Sequence, residues 1–306
     1  MVQRAFGLAF LIGVFLILLQ PVQARMVTDQ LGREVQVPEH PKRIVVLAPS
    51  LAECLFALDQ GDRVAGVTTF SNYPPRARSL PKVGSYVNLD LERIVGLDPD
   101  LCLATKDGNP AKVIRQLESL GIPVYALDPR GLQAVMETVV KLGSLLGCED
   151  EASRVVRRME DEIEAVTGRV EALPRRPRVF FQIGISPIVS VGSNTFVHEL
   201  ITMAGGRNLA AGSKDYPRFS VEEVLARNPD ILVINSMTRD NSLLEETRAR
   251  WQQYPEIDAV REGRIYTVDS DIFNRASPRL VRGLQILADL FLKSFDVPVS
   301  KVSGER

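Results

Sequence analysis

Leu91-Glu92-Arg93-Ile94-Val95-Gly96-Leu97-Asp98-Pro99-Asp100-Leu101 can be laid, position by position, on Val221-Glu222-Glu223-Val224-Leu225-Ala226-Arg227-Asn228-Pro229-Asp230-Ile231. The acid at the second position, the Pro-Asp turn and the apolar positions coincide. Each copy reads as a short helix, a turn forced by proline, then a buried strand. Simple α/β folds repeat such units by chance, so the copies alone leave two explanations open: recurrence within one sheet, or two similar lobes.

The stretch between the copies favours two lobes. Residues 149–173 contain no proline and one glycine, Gly168. Val155, Met159, Ile163, Val166 and Val170 recur at spacings of three and four, which is one apolar stripe on a helix. Arg154, Arg157, Arg158, Glu160, Asp161, Glu162 and Glu164 form its solvated face, and Pro174 and Pro177 stop it. A helix of this length reaches about 37 Å, the width of a small domain. It is predicted as a strut between lobes, with an ordinary packed helix as the alternative.

Strand and helix signals alternate on both sides of it. Ile44–Leu47, Leu101–Ala104 and Val124–Leu127 read as strands before it, with helices over 110–120 and 131–146. Ser50-Leu51-Ala52-Glu53 has the spacing of a capping box that opens a further helix. After Pro177, strands are predicted over 179–183, 188–191, 231–234 and 265–268, and helices over 195–204 and 278–295. The fold class is therefore α/β with mostly parallel sheets: a first lobe over 25–148, the linking helix over 149–173, a second lobe over 174–306, and a ligand cleft between the lobes.

The N-terminus is different in kind. Arg4 precedes an uncharged apolar run from Phe6 to Leu19, Pro21 breaks it, and Val22-Gln23-Ala24 supplies small residues for cleavage. This reads as a secretory signal removed after Ala24, with the protein working in the periplasm. A membrane anchor is the alternative, and the run is short for a full span. No cysteine follows Ala24, so no lipid anchor is expected.

Composition excludes several classes. Hydrophobic residues at 45% and charged residues at 25% fit a globular protein, and a net charge of -1 offers no field to attract nucleic acid. Three cysteines, Cys54, Cys102 and Cys148, cannot pair completely, and the first two sit in apolar patterns as small buried hydrophobes. Gly-x-Ser-x-Gly, phosphate-loop and His-Glu-x-x-His motifs are absent, and the two histidines, His40 and His198, are far apart. No enzymatic activity, resident cofactor or metal site is expected. A periplasmic α/β enzyme whose carboxylates escape motif recognition is the alternative from another class.

Aromatic and polar residues gather beside turn signals in three places. Phe70-Ser71-Asn72-Tyr73-Pro74-Pro75 with Gly84-Ser85-Tyr86 is the first; Gln182-Ile183-Gly184-Ile185-Ser186-Pro187 the second; Asp269 to Arg279 the third. Tyr216-Pro217-Arg218-Phe219 precedes the second repeat. Loops leaving the carboxyl ends of strands form the ligand crevice of α/β folds. Tyrosine there offers a flat face and a hydroxyl, which suits a large planar ligand. Each aromatic taken alone could equally seal its loop to the core.

Ser71-Asn72-Tyr73-Pro74-Pro75, Asp90 to Val95, Val179 to Ile185 and Asn274-Arg275-Ala276-Ser277-Pro278-Arg279 resemble, in the same order, segments of the periplasmic cobalamin-binding proteins of ABC importers. The wider family also carries ferric siderophores and haem, the alternative cargoes. The resemblance implies two α/β lobes on one long helix and a monomer that delivers a corrinoid to a permease dimer with a cytoplasmic ATPase. It implies ligand contacts from Tyr73, Tyr86, Gly184, Tyr216, Asp271, Phe273 and Arg275. Tyr86 and Tyr216 stand where those binders often use tryptophan, and Val189 falls near an expected aromatic. Glu92 and Glu222, equivalent in the repeat, are implied as the paired acids that dock on the permease.

Overall fold

The computed structural model describes residues 24–235 and 241–298. Residues 1–23, where the export signal is expected, lie outside the described residues.

The chain opens with an antiparallel hairpin, β1 (Ala24–Thr28) and β2 (Glu34–Pro38). The buried Asp29 carboxylate organises its turn by accepting from the Leu31 and Arg33 backbone N–H groups and the Arg33 side chain. The first lobe is built on β3 (Ile44–Val46), β4 (Val64–Val67), β5 (Leu101–Thr105) and β6 (Val124–Leu127), all parallel, in the order β4-β3-β5-β6. These strands are almost wholly apolar and buried, as a sheet covered on both faces requires. Helices α1 (Pro49–Ala57), α2 (Leu91–Gly96), α3 (Ala111–Ser119) and α4 (Leu132–Leu146) connect and cover them.

Helix α5 (Glu149–Val170) crosses to the second lobe. It ends three residues before the predicted limit, at about 33 Å long. Strut and packed helix prove to be one thing. Its N-terminal half lies so close to α4 that a Cβ on Gly143 would come within 2.5 Å of the Ala152 methyl. Its C-terminal half is tied to α11 (Leu280–Lys293) by Arg169–Asp289 at 2.9 Å and Gln285–Glu162 at 3.2 Å. Val155, Met159 and Val166 of the predicted stripe are buried in one apolar cluster that continues into both lobes.

The second lobe holds β7 (Arg178–Gly184), β8 (Ile188–Ser190), β9 (Arg207–Asn208), β10 (Arg218–Phe219), β11 (Ile231–Ile234) and β12 (Ile265–Thr267). The order is β10-β8-β7-β11-β12, with β9 beside β7. Helices α6 (Phe196–Met203), α7 (Val221–Arg227), α8 (Asn241–Trp251), α9 (Asp258–Arg261) and α10 (Ser270–Phe273) complete it, with α11. The central order β8-β7-β11-β12 repeats β4-β3-β5-β6. One strand differs: β8 runs antiparallel to β7, because Ile185-Ser186-Pro187 turns the chain straight back.

The repeat holds at atomic detail. Asp90 and Ser220 cap α2 and α7, accepting from the N–H three residues on. Asp98 and Asn228 both take left-handed backbone, φ 47° and 43°. The Asp100 and Asp230 N–H groups donate to the Arg43 and Arg178 carbonyls at 3.0 and 2.9 Å, and the two carboxylates accept from the backbone just ahead of β3 and at the start of β7.

One predicted local feature is overturned. α1 starts at Pro49 after Ala48, without a side-chain cap. Glu53 closes no capping box; it is buried.

Candidate ligand-binding site

The loop after β4 exposes two large aromatics, Phe70 at 42% and Tyr73 at 44%. Tyr86 meets Phe70 edge to face, with ring centres 6.2 Å apart. Beneath Tyr86 lies Gly108, φ +111°, where a Cβ would stand 2.7 Å from the ring. The Asn109 amide holds the same corner, donating to the carbonyls of Tyr86 and Leu47 at 2.8 Å each. Only a residue without a side chain lets the ring settle there.

Tyr216 approaches from the second lobe, 56% exposed. Burial of its phenol raises its pKa; Asp107 and Asp215 push the same way and Arg130 opposes them. Asp107 and Arg130 belong to the first lobe and pair at 2.9 Å. Tyr86 thus lies on loop 107–109 of the first lobe, and Tyr216 stands exposed on the second.

The third loop is engaged differently from expectation. Arg275 is buried, and its guanidinium donates to Glu53 (2.7 Å), Asn72 Oδ1 (2.8 Å), the Phe70 carbonyl (2.9 Å) and Asp271 (2.6 Å). Asn72 Nδ2 donates to the other Asp271 oxygen at 2.6 Å. Glu53 also accepts from Ser277 at 2.6 Å and Arg279 at 3.1 Å. The Arg279 guanidinium lies 3.8 Å from the centre of the Tyr73 ring, a cation–π contact. Two carboxylates and two guanidinia thus bridge the lobes directly behind the aromatic loop.

Residues 44–272 match the family model described as periplasmic binding protein. The chain belongs to the periplasmic binding protein family. An uncharacterized ABC transporter substrate-binding lipoprotein of Bacillus subtilis is 30% identical over 269 residues, covering 86% of this chain and 84% of its own. The vitamin B12-binding protein of Yersinia pestis is 30% identical over 261 residues, covering 85% and 89%. A periplasmic heme-binding protein from Pseudomonas aeruginosa superposes with a TM-score of 0.75 at 29% identity, over 83% of this chain and 94% of that one. Membership sets the chain among extracytoplasmic binding proteins of two-lobed architecture, in agreement with the lobes and strut read from the repeat.

Within this periplasmic binding protein the expected contact residues separate. Tyr73, Tyr86 and Tyr216 stand at loop surfaces. Phe273 corrects the expectation: it is fully buried, its ring 5.5 Å from Phe181. α10 is a single turn, and directing Asp271 toward Asn72 sends Phe273 into the core. Gly184 is half-buried, and the space its missing side chain leaves is filled by Val189, 2.7 Å from a Cβ built there. Glycine is needed there for the β7–β8 hairpin. Asp271 and Arg275 do lie beside the aromatic loop, but bound to each other and to the opposite lobe.

Glu92 and Glu222 are both exposed in the first turns of α2 and α7. The Glu222 carboxyl is held below its ordinary value by its own backbone N–H and by Ser220. A negative charge is favourable at both helix starts. The three thiols are buried and unpaired; burial pushes Cys54 far up and Cys102 to about 12, so neither is a nucleophile.

Sequence reasoning missed Glu53 and gave no role to Asn72, Ser277 or Arg279. The available signal was the acid itself: Leu51-Ala52-Glu53-Cys54-Leu55 places one carboxylate in an otherwise apolar helix. Buried acids are paired, so such an acid announces a distant cation.

Proposed function

We propose that this protein captures cobalamin or a related corrinoid in the cleft between its lobes and delivers it to the permease dimer of an ABC importer driven by a cytoplasmic ATPase. The observation that carries this reading is the exposure of Phe70, Tyr73 and Tyr216, with Tyr86 half-open beside them. Large aromatics exposed on both lobes mark a binding surface. Flat faces tipped by hydroxyls suit a planar macrocycle with a polar rim. The vitamin B12-binding relatives support that ligand class. The protein is exported by a cleaved signal, acts as a monomer, catalyses no reaction, and docks through Glu92 and Glu222.

Haem is the second reading. It is favoured by the heme-binding structural neighbour and by the exposed phenol of Tyr73, since tyrosinate is an established iron ligand. Titration calorimetry with cyanocobalamin, haemin and a ferric siderophore, read alongside visible spectra, separates the cargoes. Saturable 1:1 binding of cyanocobalamin with no haemin complex is expected. Binding of haemin alone, with a shifted Soret band, would replace the corrinoid reading.

A further inference from the structure

Arg275 has five N–H groups, and four are committed: to Glu53, Asn72, the Phe70 carbonyl and Asp271. At most one is left for a ligand. Its acceptors are informative in another way. Glu53 lies in α1 and Phe70 and Asn72 in the aromatic loop, all in the first lobe; Arg275, Asp271, Ser277 and Arg279 lie in the second.

We propose that Arg275 and Glu53 are positioning residues, a latch that joins the lobes and fixes the Phe70–Tyr73 loop in the orientation the ligand meets. The pocket is thereby built before the ligand arrives. The side chains of Glu53 and Arg275 are 2% and 7% exposed, so opening the lobes at this point strips partners from buried charges. Charge-assisted hydrogen bonds of this geometry are the strong ones, and a buried ionic network is costly when left half-satisfied. With two acids and two arginines the assembled latch is neutral, so it has no electrostatic need of a charged ligand. Tyr73 is held twice over, through Asn72 in its own loop and by Arg279 across its face. The latch rests on the corrinoid reading only for the choice of ligand in its test.

Glu53→Gln keeps the shape and removes the charge; Arg275→Lys keeps the charge and removes the fork. Spin labels on Lys112→Cys in α3 and Glu245→Cys in α8, both exposed, report the distance between lobes. The native thiols are buried and stay unlabelled. The expected result is a narrow distance distribution in the otherwise unaltered protein, unchanged by cyanocobalamin. Glu53→Gln should broaden it, let ligand narrow it again, and raise the cyanocobalamin dissociation rate at least ten-fold. Arg275→Lys should act in the same direction. A narrow distribution and unchanged dissociation in Glu53→Gln overturn the latch. Loss of affinity in Arg275→Lys alone, with Glu53→Gln normal, also overturns it and makes Arg275 a direct ligand contact. Failure of the protein to bind cyanocobalamin at all refutes the corrinoid reading, while the distance distributions still decide the latch. Should Glu53→Gln not fold, Ser277→Ala removes one donor from the same carboxylate and is scored by the same two measurements.

Discussion

Tyr86 rests on Gly108 in the first lobe and Tyr216 stands exposed on the second, so a flat ligand held between the lobes is expected to meet both rings. Each aromatic contact adds about 0.5–1.5 kcal/mol beyond buried area. Two together contribute about 1–3 kcal/mol, and with the buried area lost as well they exceed the roughly 1.4 kcal/mol that separates tenfold steps in affinity. The double substitution Tyr86→Ala, Tyr216→Ala is therefore expected to weaken cyanocobalamin binding at least ten-fold by calorimetry, with the thermal midpoint little changed because neither ring is a core residue. Wild-type affinity in the folded double variant would place the pocket elsewhere. At this scale the sequence is readable where a residue's surroundings are local. Tyrosines beside turns point to a surface, and they are at the surface. Phe273 and Glu53 were misjudged because what surrounds them comes from far along the chain: Phe181 lies 92 positions before Phe273, and Arg275 lies 222 positions after Glu53. A four-residue window shows Glu53 only as a capping partner for Ser50.

At the scale of elements, the repeated helix–turn–strand unit anchors each sheet through its aspartate. Asp230 shows how strongly. Burial would raise its pKa, but hydrogen bonds from the Arg175 and Arg178 side chains and the Arg178 N–H prevail and hold it far below the usual carboxylate range. A depressed folded pKa contributes stability that is complete above the unfolded value of about 3.9 and is lost as pH falls through the folded one. Asp230→Asn is expected to cost about 2 kcal/mol at pH 7, the scale of a hydrogen-bonded charge, after discounting the half-exposed Arg175. Urea unfolding should show the full deficit at pH 7 and a shrinking one below about pH 4. A gap independent of pH would mean that packing rather than charge is at stake. The alternation, the long helix and the repeat were legible because period and proline are local signals. The reversed direction of β8 was not, since a strand's apolar pattern is the same either way. The β1–β2 hairpin was also missed, although Val35 and Val37 alternate with Glu34 and Gln36 in the two-residue period of a strand.

At the scale of the molecule, the two units stand on one packed helix, and each begins with an exposed glutamate at the second position of its repeat helix. The helix dipole explains either acid singly. It does not explain why the same position is used in both lobes, nor why neither glutamate forms an ion pair among the described residues while Asp90 and Glu223 beside them serve the caps. A dimeric permease offers two equivalent sites, and a two-lobed protein with equivalent acids can meet both at once. Interfacial charge pairs couple by about 1.5–7 kcal/mol, well above what exposed pairs contribute within one protein. Binding through two linked contacts multiplies their effect, so reversing both costs more than either alone. Glu92→Lys with Glu222→Lys is expected to abolish uptake of cyanocobalamin into vesicles containing the importer, while affinity of the isolated protein for the vitamin stays within two-fold. Each single reversal should leave partial uptake that falls further as salt rises, because screening weakens the remaining pair. Normal uptake by the double reversal would reduce both glutamates to helix-start residues and move the docking surface off the repeat.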